Sequence, residues 1–348
     1  MLYQIETSTR TAGNWTGPVV QLKHPLGHGS AEIWTANGFN CLSWKIASEG
    51  KLHDVLYSAP DWNTNPVPTR SGVPILFPFP NRIKDGNFRF LGQEYQLPQN
   101  DSTKQNAIHG YAPRYPWRIV DQGTTDFSAW VTGQFRPALD APEVEKYWPG
   151  DYVLNITYRL GLNSLRIEAK VFNPASIPLP FGLGFHPYFR FPLASADSDI
   201  SRYRFLMPAG SIWPLVDSLP TGERLPVPEE IDWSRSKLLG DVALDTLYGD
   251  LHSYDEPNGD LLPRAQLRHA DLPGSLQVWT TKEYREMVLF TPAHRKAFCI
   301  EPYTCPTDAI HLAEKGIDSG WIQIDPGQEW SAVVELRWDE KATGLMKS

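Results

Sequence analysis

Leu165, Ile167, Ala169 and Val171 alternate one by one with Arg166, Glu168 and Lys170, and this period of two recurs along the chain. A strand turns successive side chains to opposite faces, so the pattern suits an antiparallel sheet with one face buried and the other in water. Tyr152, Leu154, Ile156 and Tyr158 repeat it against Asn155 and Thr157. In the run Ala332–Trp338, Glu335 and Arg337 point outward. Asp85-Gly86 and Gly92-Gln93 bracket Phe88-Arg89-Phe90, with Tyr95 and Leu97 following, which predicts consecutive hairpins. With 31 Pro and 26 Gly to interrupt helices, and 13 Trp, 14 Tyr and 15 Phe to fill pleated surfaces, composition agrees. One short helix is predicted over Ala309–Lys315, capped by Thr307 or Asp308 and stopped by Gly316. The Pro-rich stretches 137–149 and 208–228 read as long surface loops, because strand patterns resume after each. The expectation is an all-β chain with few short helices, residues 1–348 forming a single domain.

The formal net charge of −8 repels a phosphate backbone, so nucleic acid is a poor partner. No apolar stretch approaches a membrane span, and the start Met-Leu-Tyr-Gln-Ile-Glu-Thr lacks a basic, then apolar leader. Three cysteines, Cys41, Cys299 and Cys305, suit reduced thiols in the cytoplasm better than a disulfide framework. No phosphate-binding loop occurs, and Gly182-Leu183-Gly184 lacks the third glycine of a dinucleotide fingerprint. Cys299, Cys305 and His311 match no zinc spacing. We expect neither cofactor nor metal, and the oligomeric state stays open.

Chemistry concentrates in a few settings. Phe181, Leu183 and Phe185 alternate with Gly182, Gly184 and His186. Read as a strand, one face is bulky and the other is bare backbone ending in an imidazole. Two readings fit: a cleft beside the histidine, or a core histidine whose neighbouring glycines admit a packed side chain. In Ala297–Pro302, Phe298 and Ile300 share one face while Cys299 and Glu301 share the other, with Pro302 expected to end the pairing. A carboxylate at the end of such a strand is solvated, paired or functional. His109 precedes Gly110, and Arg82 follows the Pro-punctuated run Phe77–Asn81; both are expected in irregular segments at a sheet rim. Asp245 lies in Ala-Leu-Asp-Thr-Leu, where a loop or capping role is equally open.

Taken in order, Gly72–Arg82, Asn106–Gly110, His186-Pro-Tyr-Phe189, Leu244-Asp245 and Glu301-Pro302 resemble the aldose 1-epimerase (galactose mutarotase) family. The resemblance implies a large antiparallel β-sandwich, the galactose mutarotase-like supersandwich, with an open cleft for an aldohexose. It implies that Glu301 is a general base and His186 a general acid. His109 would contact the region of the ring oxygen or the anomeric centre, and Arg82, Asn81 and Asp245 would hold sugar hydroxyls. The activity implied is interconversion of α and β anomers, with the histidine protonated and the carboxylate ionised together at near-neutral pH. A hexose 6-phosphate substrate would need a further cation, for which Arg114, Arg118 and Arg285 are candidates. A non-catalytic sugar sensor on the same scaffold is the remaining alternative.

Overall fold

The computed structural model describes residues 1–48, 50–191, 193, 202–269 and 273–340. Among them two large antiparallel sheets dominate. A nine-stranded sheet runs through Ala129–Phe135, Val153–Leu160, Ser164–Phe172, Glu329–Asp339, Ser275–Thr280 and Leu262–His269 as consecutive neighbours. Its register places Ile156 beside Ala169 and Ile167 beside Val334, so the predicted apolar stripes meet on one face. That face is sealed: Ile156, Ile167, Leu336 and Val278 expose nothing.

An eight-stranded sheet includes Ala209–Ile212, Asp245–Leu251, Glu286–Phe290 and Ala297–Tyr303 in that order. Alternation divides its faces. Tyr248, Met287, Leu289, Phe298 and Ile300 join the same core as the nine-stranded sheet. The opposite face carries Asp245, Val288, Phe290, Cys299, Glu301 and Tyr303, since Asp245 pairs with Phe290 and Val288 with Glu301 across the strands. One face therefore stabilises the sandwich, and the other is left free for chemistry. A five-stranded meander, from Gln4–Ala12 to Lys51–Asp54, completes the large sheets among the described residues.

Several expectations are corrected. Pro302 does not end its strand, which continues to Tyr303 with Met287 opposite the proline. Proline forfeits only a donor, and its carbonyl and ring still fit the sheet. Segment 208–228 is no surface loop, because Ala209–Ile212 and Leu225–Pro226 are strands of the eight-stranded sheet. Segment 137–149 is a helical turn, Pro137–Asp140, followed by a 3-10 helix, Pro142–Tyr147. The buried Trp148 anchors it, stacking on Phe79 at 5.6 Å and donating to the Pro180 carbonyl at 3.0 Å. One hairpin forms, between Asn87–Phe90 and Gln93–Gln96, whereas Arg82–Ile83 pairs instead with Ala107–Ile108. The helix Ala309–Glu314 is present, with Gly316 in the left-handed region after it, but neither Thr307 nor Asp308 caps it by side chain.

Truncating a sealed core residue removes both transfer energy and packing. Ile156→Ala should therefore cost about 2–5 kcal/mol in urea unfolding. Thr157→Ala, one residue along on the outer face, should cost under about 1 kcal/mol. Equal losses at the two positions would contradict the assigned faces.

Candidate active site

Glu301 is set by its strand. Parity turns it away from the core, yet it exposes only 1 % of its surface. Its Oε2 accepts a hydrogen bond from the Tyr303 hydroxyl, two residues on along the same face. Its Oε1 has no hydrogen-bond partner. Across from it stands His186, 7 % exposed, whose Nδ1 also has none. These two atoms are 3.4 Å apart, within ion-pair range but without a formed hydrogen bond. Two unpaired polar atoms facing each other in a dry site are costly. They are the natural place for a third group to bind.

Aromatic rings wall in the imidazole. Tyr188 stacks on it with centroids 4.5 Å apart and planes 5° from parallel, while Phe290 and His109 meet it edge-on at 6.1 and 5.9 Å. The Tyr188 hydroxyl lies 3.3 Å from Nε2, but parallel rings put it over the imidazole face rather than along the nitrogen lone pair. That hydroxyl instead donates to the Thr69 carbonyl. Burial lowers the His186 pKa to about 3. Burial likewise pushes Glu301 well above the carboxylate range, opposed by the Tyr303 hydrogen bond and reinforced by the negative charge of Asp245. Both shifts favour the uncharged pair, a carboxylic acid beside a neutral imidazole. Desolvation penalises two separated charges there more than their attraction returns.

His109 and Asn81 lock together. The Asn81 N–H donates to His109 Nδ1 at 3.1 Å, and the His109 N–H returns to the Asn81 carbonyl at 2.9 Å. Nδ1 is therefore an acceptor, so the ring proton sits on Nε2 and His109 presents a donor. Burial, then electrostatic interaction with His186, Arg114 and Arg82, holds its pKa well below the ordinary value. Both residues sit at positive φ, 54° for Asn81 and 63° for His109. The next residue must be glycine: a Cβ on Gly110 would lie 2.2 Å from the Phe77 carbonyl oxygen.

Arg82 is aimed from several sides. Its guanidinium donates to Asp101 at 3.4 Å and to Asn81 Oδ1 at 3.1 Å. Asp101 resists burial because hydrogen bonds from Asn106, Thr103 and nearby backbone N–H groups outweigh it, holding the carboxyl well below its usual range. Thr307 and Asp308, expected as helix caps, hold this segment instead. Thr307 Oγ1 accepts from the Arg82 N–H at 3.1 Å, and Asp308 Oδ1 accepts from the Lys84 N–H at 2.9 Å. Asp245 opens its strand on the cleft face and is exposed. Partial desolvation raises its pKa and Arg82 opposes that. Contacts and charge thus connect Glu301, His186, His109, Asn81, Arg82 and Asp245 in one patch.

The glycines beside His186 open no cleft. A Cβ on Gly182 would lie 2.4 Å from Cys305 Sγ, and one on Gly184 would lie 2.5 Å from the Tyr303 ring. They admit packed neighbours, one of which supports Glu301. Sequence reasoning missed Tyr303, although its spacing from Glu301 on one strand was a usable signal. It also missed Tyr188, adjacent to the His186-Pro187 pair, and Asp101, which had no local signature. His186, Cys299 and Glu301 bring donor atoms within 4.8 Å of one another, a spacing that an ion could bridge. Burial holds the Cys299 thiol protonated, so a metal would first have to displace that proton.

The Glu301 titration, followed by carbon NMR of labelled glutamate, should move up in Tyr303→Phe and down in Asp245→Asn. Because folding raises the Glu301 pKa, this group's stability contribution is complete below the unfolded carboxylate value and is lost as pH rises toward the folded one. Glu301→Gln should therefore melt above the parent protein at pH 8, with the difference closing below about pH 4. A gap that widens in acid would contradict the assigned direction.

Residues 18–337 match the family model for aldose 1-epimerase. The chain is 27% identical over 247 residues to YihR, an uncharacterized protein of Escherichia coli K12, spanning 70% of this chain and 72% of that one. It is 28% identical over 216 residues to the galactose mutarotase of Mus musculus, spanning 58% and 57% respectively. A galactose mutarotase-like protein from Clostridium acetobutylicum shares its fold at a TM-score of 0.82 and 24% identity, over 92% of this chain and 95% of that one. The galactose 1-epimerase of Lactobacillus acidophilus does so at 0.71 and 16% identity, over 97% and 99%. Two antiparallel sheets, few short helices and a family match across most of the length lead to one conclusion: this protein belongs to the aldose 1-epimerase family, with a galactose mutarotase-like fold.

Proposed function

We propose that the protein is a mutarotase, interconverting the α and β anomers of a free aldohexose by opening and reclosing the pyranose ring. The observation that carries this reading is the buried, mutually facing pair of Glu301 Oε1 and His186 Nδ1. The anomeric hydroxyl and the ring oxygen hang on the same carbon, so the base for one and the acid for the other must stand side by side. Atoms 3.4 Å apart meet that requirement.

In the opening step, Glu301 carboxylate takes the O1 proton as His186 imidazolium gives one to the ring oxygen. The C1–ring oxygen bond breaks and C1 becomes an aldehyde carbon. Rotation about C1–C2 presents the other carbonyl face, and closure returns both protons. Before opening, the pair is carboxylate and imidazolium; afterwards it is carboxylic acid and imidazole. The total is one proton either way. Burial makes the second arrangement the resting one, so the site is biased toward the open-chain state. Sugar hydroxyls and the Arg82 charge restore the ionised arrangement when the ring is bound. Matching the two forms in energy favours transfer in both directions.

His109 offers its Nε2–H to the ring oxygen region, and Arg82 and Asp245 bind hydroxyls. Asn81, whose Oδ1 is occupied by Arg82, has its amide N–H groups left for a hydroxyl. The main core draws on residues from Tyr3 to Trp338, which supports treating the chain as one domain. Three buried free thiols suit the reducing conditions of the cytoplasm.

Polarimetry on freshly dissolved α-glucose and α-galactose tests the reading. The protein should speed the approach to anomeric equilibrium, and Glu301→Gln and His186→Ala should each lose about 10²–10⁴-fold in rate. Sugar binding without acceleration in the parent protein would replace the enzyme by a sensor.

A further inference from the structure

Cys299 lies on the cleft face beside the acid and the base, and the proposed reaction gives it no part. Parity puts it on the same side of its strand as Glu301, and the register sets it between Tyr188 and Phe290 on the flanking strands. Those two rings wall in the imidazole, so the sheet itself brings the thiol up to His186. One ligand atom from each of His186, Cys299 and Glu301 lies within 4.8 Å of the other two. His186 Nδ1 and Glu301 Oε1 are both buried without a hydrogen-bond partner. Tetrahedral zinc binds imidazole nitrogen and carboxylate oxygen at about 2.0–2.2 Å, which spaces the two about 3.4 Å apart. The orphaned atoms stand 3.4 Å apart. A zinc–sulfur bond of about 2.3 Å then asks the thiol to close by at most about 1.2 Å. Tyr303 supports the set from behind, occupying Glu301 Oε2 and leaving Oε1 free.

Charge balance points the same way. A thiolate and a carboxylate together cancel the charge of a divalent cation, with imidazole as a neutral third ligand. A complex of no net charge suits a site that excludes water. Coordination forms three bonds to the ion and releases to solvent the thiol proton and the proton that the acid–base pair shares. Three protein ligands leave a fourth position for water. Both atoms that the anomeric reaction needs are then taken. We propose that His186, Cys299 and Glu301 form a binding site for zinc or a similarly thiophilic divalent cation, and that metal and sugar exclude each other, so that zinc inhibits reversibly. The site stands on its geometry, and the inhibition rests on the mutarotase reading.

Polarimetry with chelator-treated protein follows the mutarotation of α-glucose and α-galactose as zinc chloride is added. Zinc should raise the apparent KM and leave kcat unchanged, and chelator should restore the original rate. Loss of an outer-shell partner weakens metal binding by about 10–100-fold, so loss of a direct ligand should cost more. In Cys299→Ala the half-inhibiting zinc concentration, referred to that variant's own zinc-free rate, should therefore rise by about 100-fold or more. Cys305→Ala, which alters the thiol packed at Gly182, should respond to zinc as the parent does. No inhibition of the parent, a fall in kcat at saturating sugar, or equal sensitivity in Cys299→Ala overturns the proposal. Cobalt chloride reads the site without activity. A thiolate-to-cobalt charge-transfer band in the parent, kept in Cys305→Ala and lost in Cys299→Ala and His186→Ala, supports it. No band in the parent, or one that persists in either ligand variant, overturns it. Where Cys299→Ala does not fold, His186→Ala gives the same spectral comparison. Should the parent accelerate no aldose, the mutarotase reading fails and the cobalt spectra alone decide the site.

Discussion

Keeping a carboxyl group dry is the constraint around which the rest of this structure is arranged. Glu301 faces away from the main core yet is almost sealed from water, with a single hydrogen bond from Tyr303. Transfer of an ionised carboxylate into such a place is costly without a partner, so burial shifts the group toward its protonated form. His186, enclosed by Tyr188, Phe290 and His109, is driven the other way by the same cause. Two opposite shifts from one physical source move the shared proton from the imidazole, its home in water, toward the carboxyl.

The fold makes this affordable through division of labour within single strands. Phe298 and Ile300 go into the core between the sheets, and Cys299, Glu301 and Tyr303 go to the cleft face. A dry functional face therefore costs no core contact. The surrounding loops are held by polar contacts as well as by apolar burial. Thr307 and Asp308, Asp101 and the Asn81–His109 exchange together fix the segment bearing Arg82. Left-handed backbone at Asn81 and His109 is tolerated because reciprocal hydrogen bonds offset it.

Much of this was legible in the sequence because alternation is a local property. The faces of Ser164–Phe172 and Ala297–Tyr303 follow from parity, and all six candidate site residues fall in one patch. What was not legible depends on neighbours distant in the chain. Pro302 reads as a terminator until Met287 is known to lie opposite it. Thr307 and Asp308 carry the right chemistry for caps, but Arg82 and Lys84 compete for their oxygens across more than two hundred residues. The strands within 208–228 are only two to four residues long, too short to show a period. Glycines 182 and 184 signalled close approach correctly, but a packed thiol and a phenol ring supply it, not a ligand.

The most direct measurement is a crystal structure with an aldose bound. The account predicts the anomeric oxygen hydrogen-bonded to the Glu301 carboxyl and the ring oxygen to the His186 imidazole, both on one sugar. A pyranose bound elsewhere, or one seated in the cleft with C1 turned away from both groups, would contradict it.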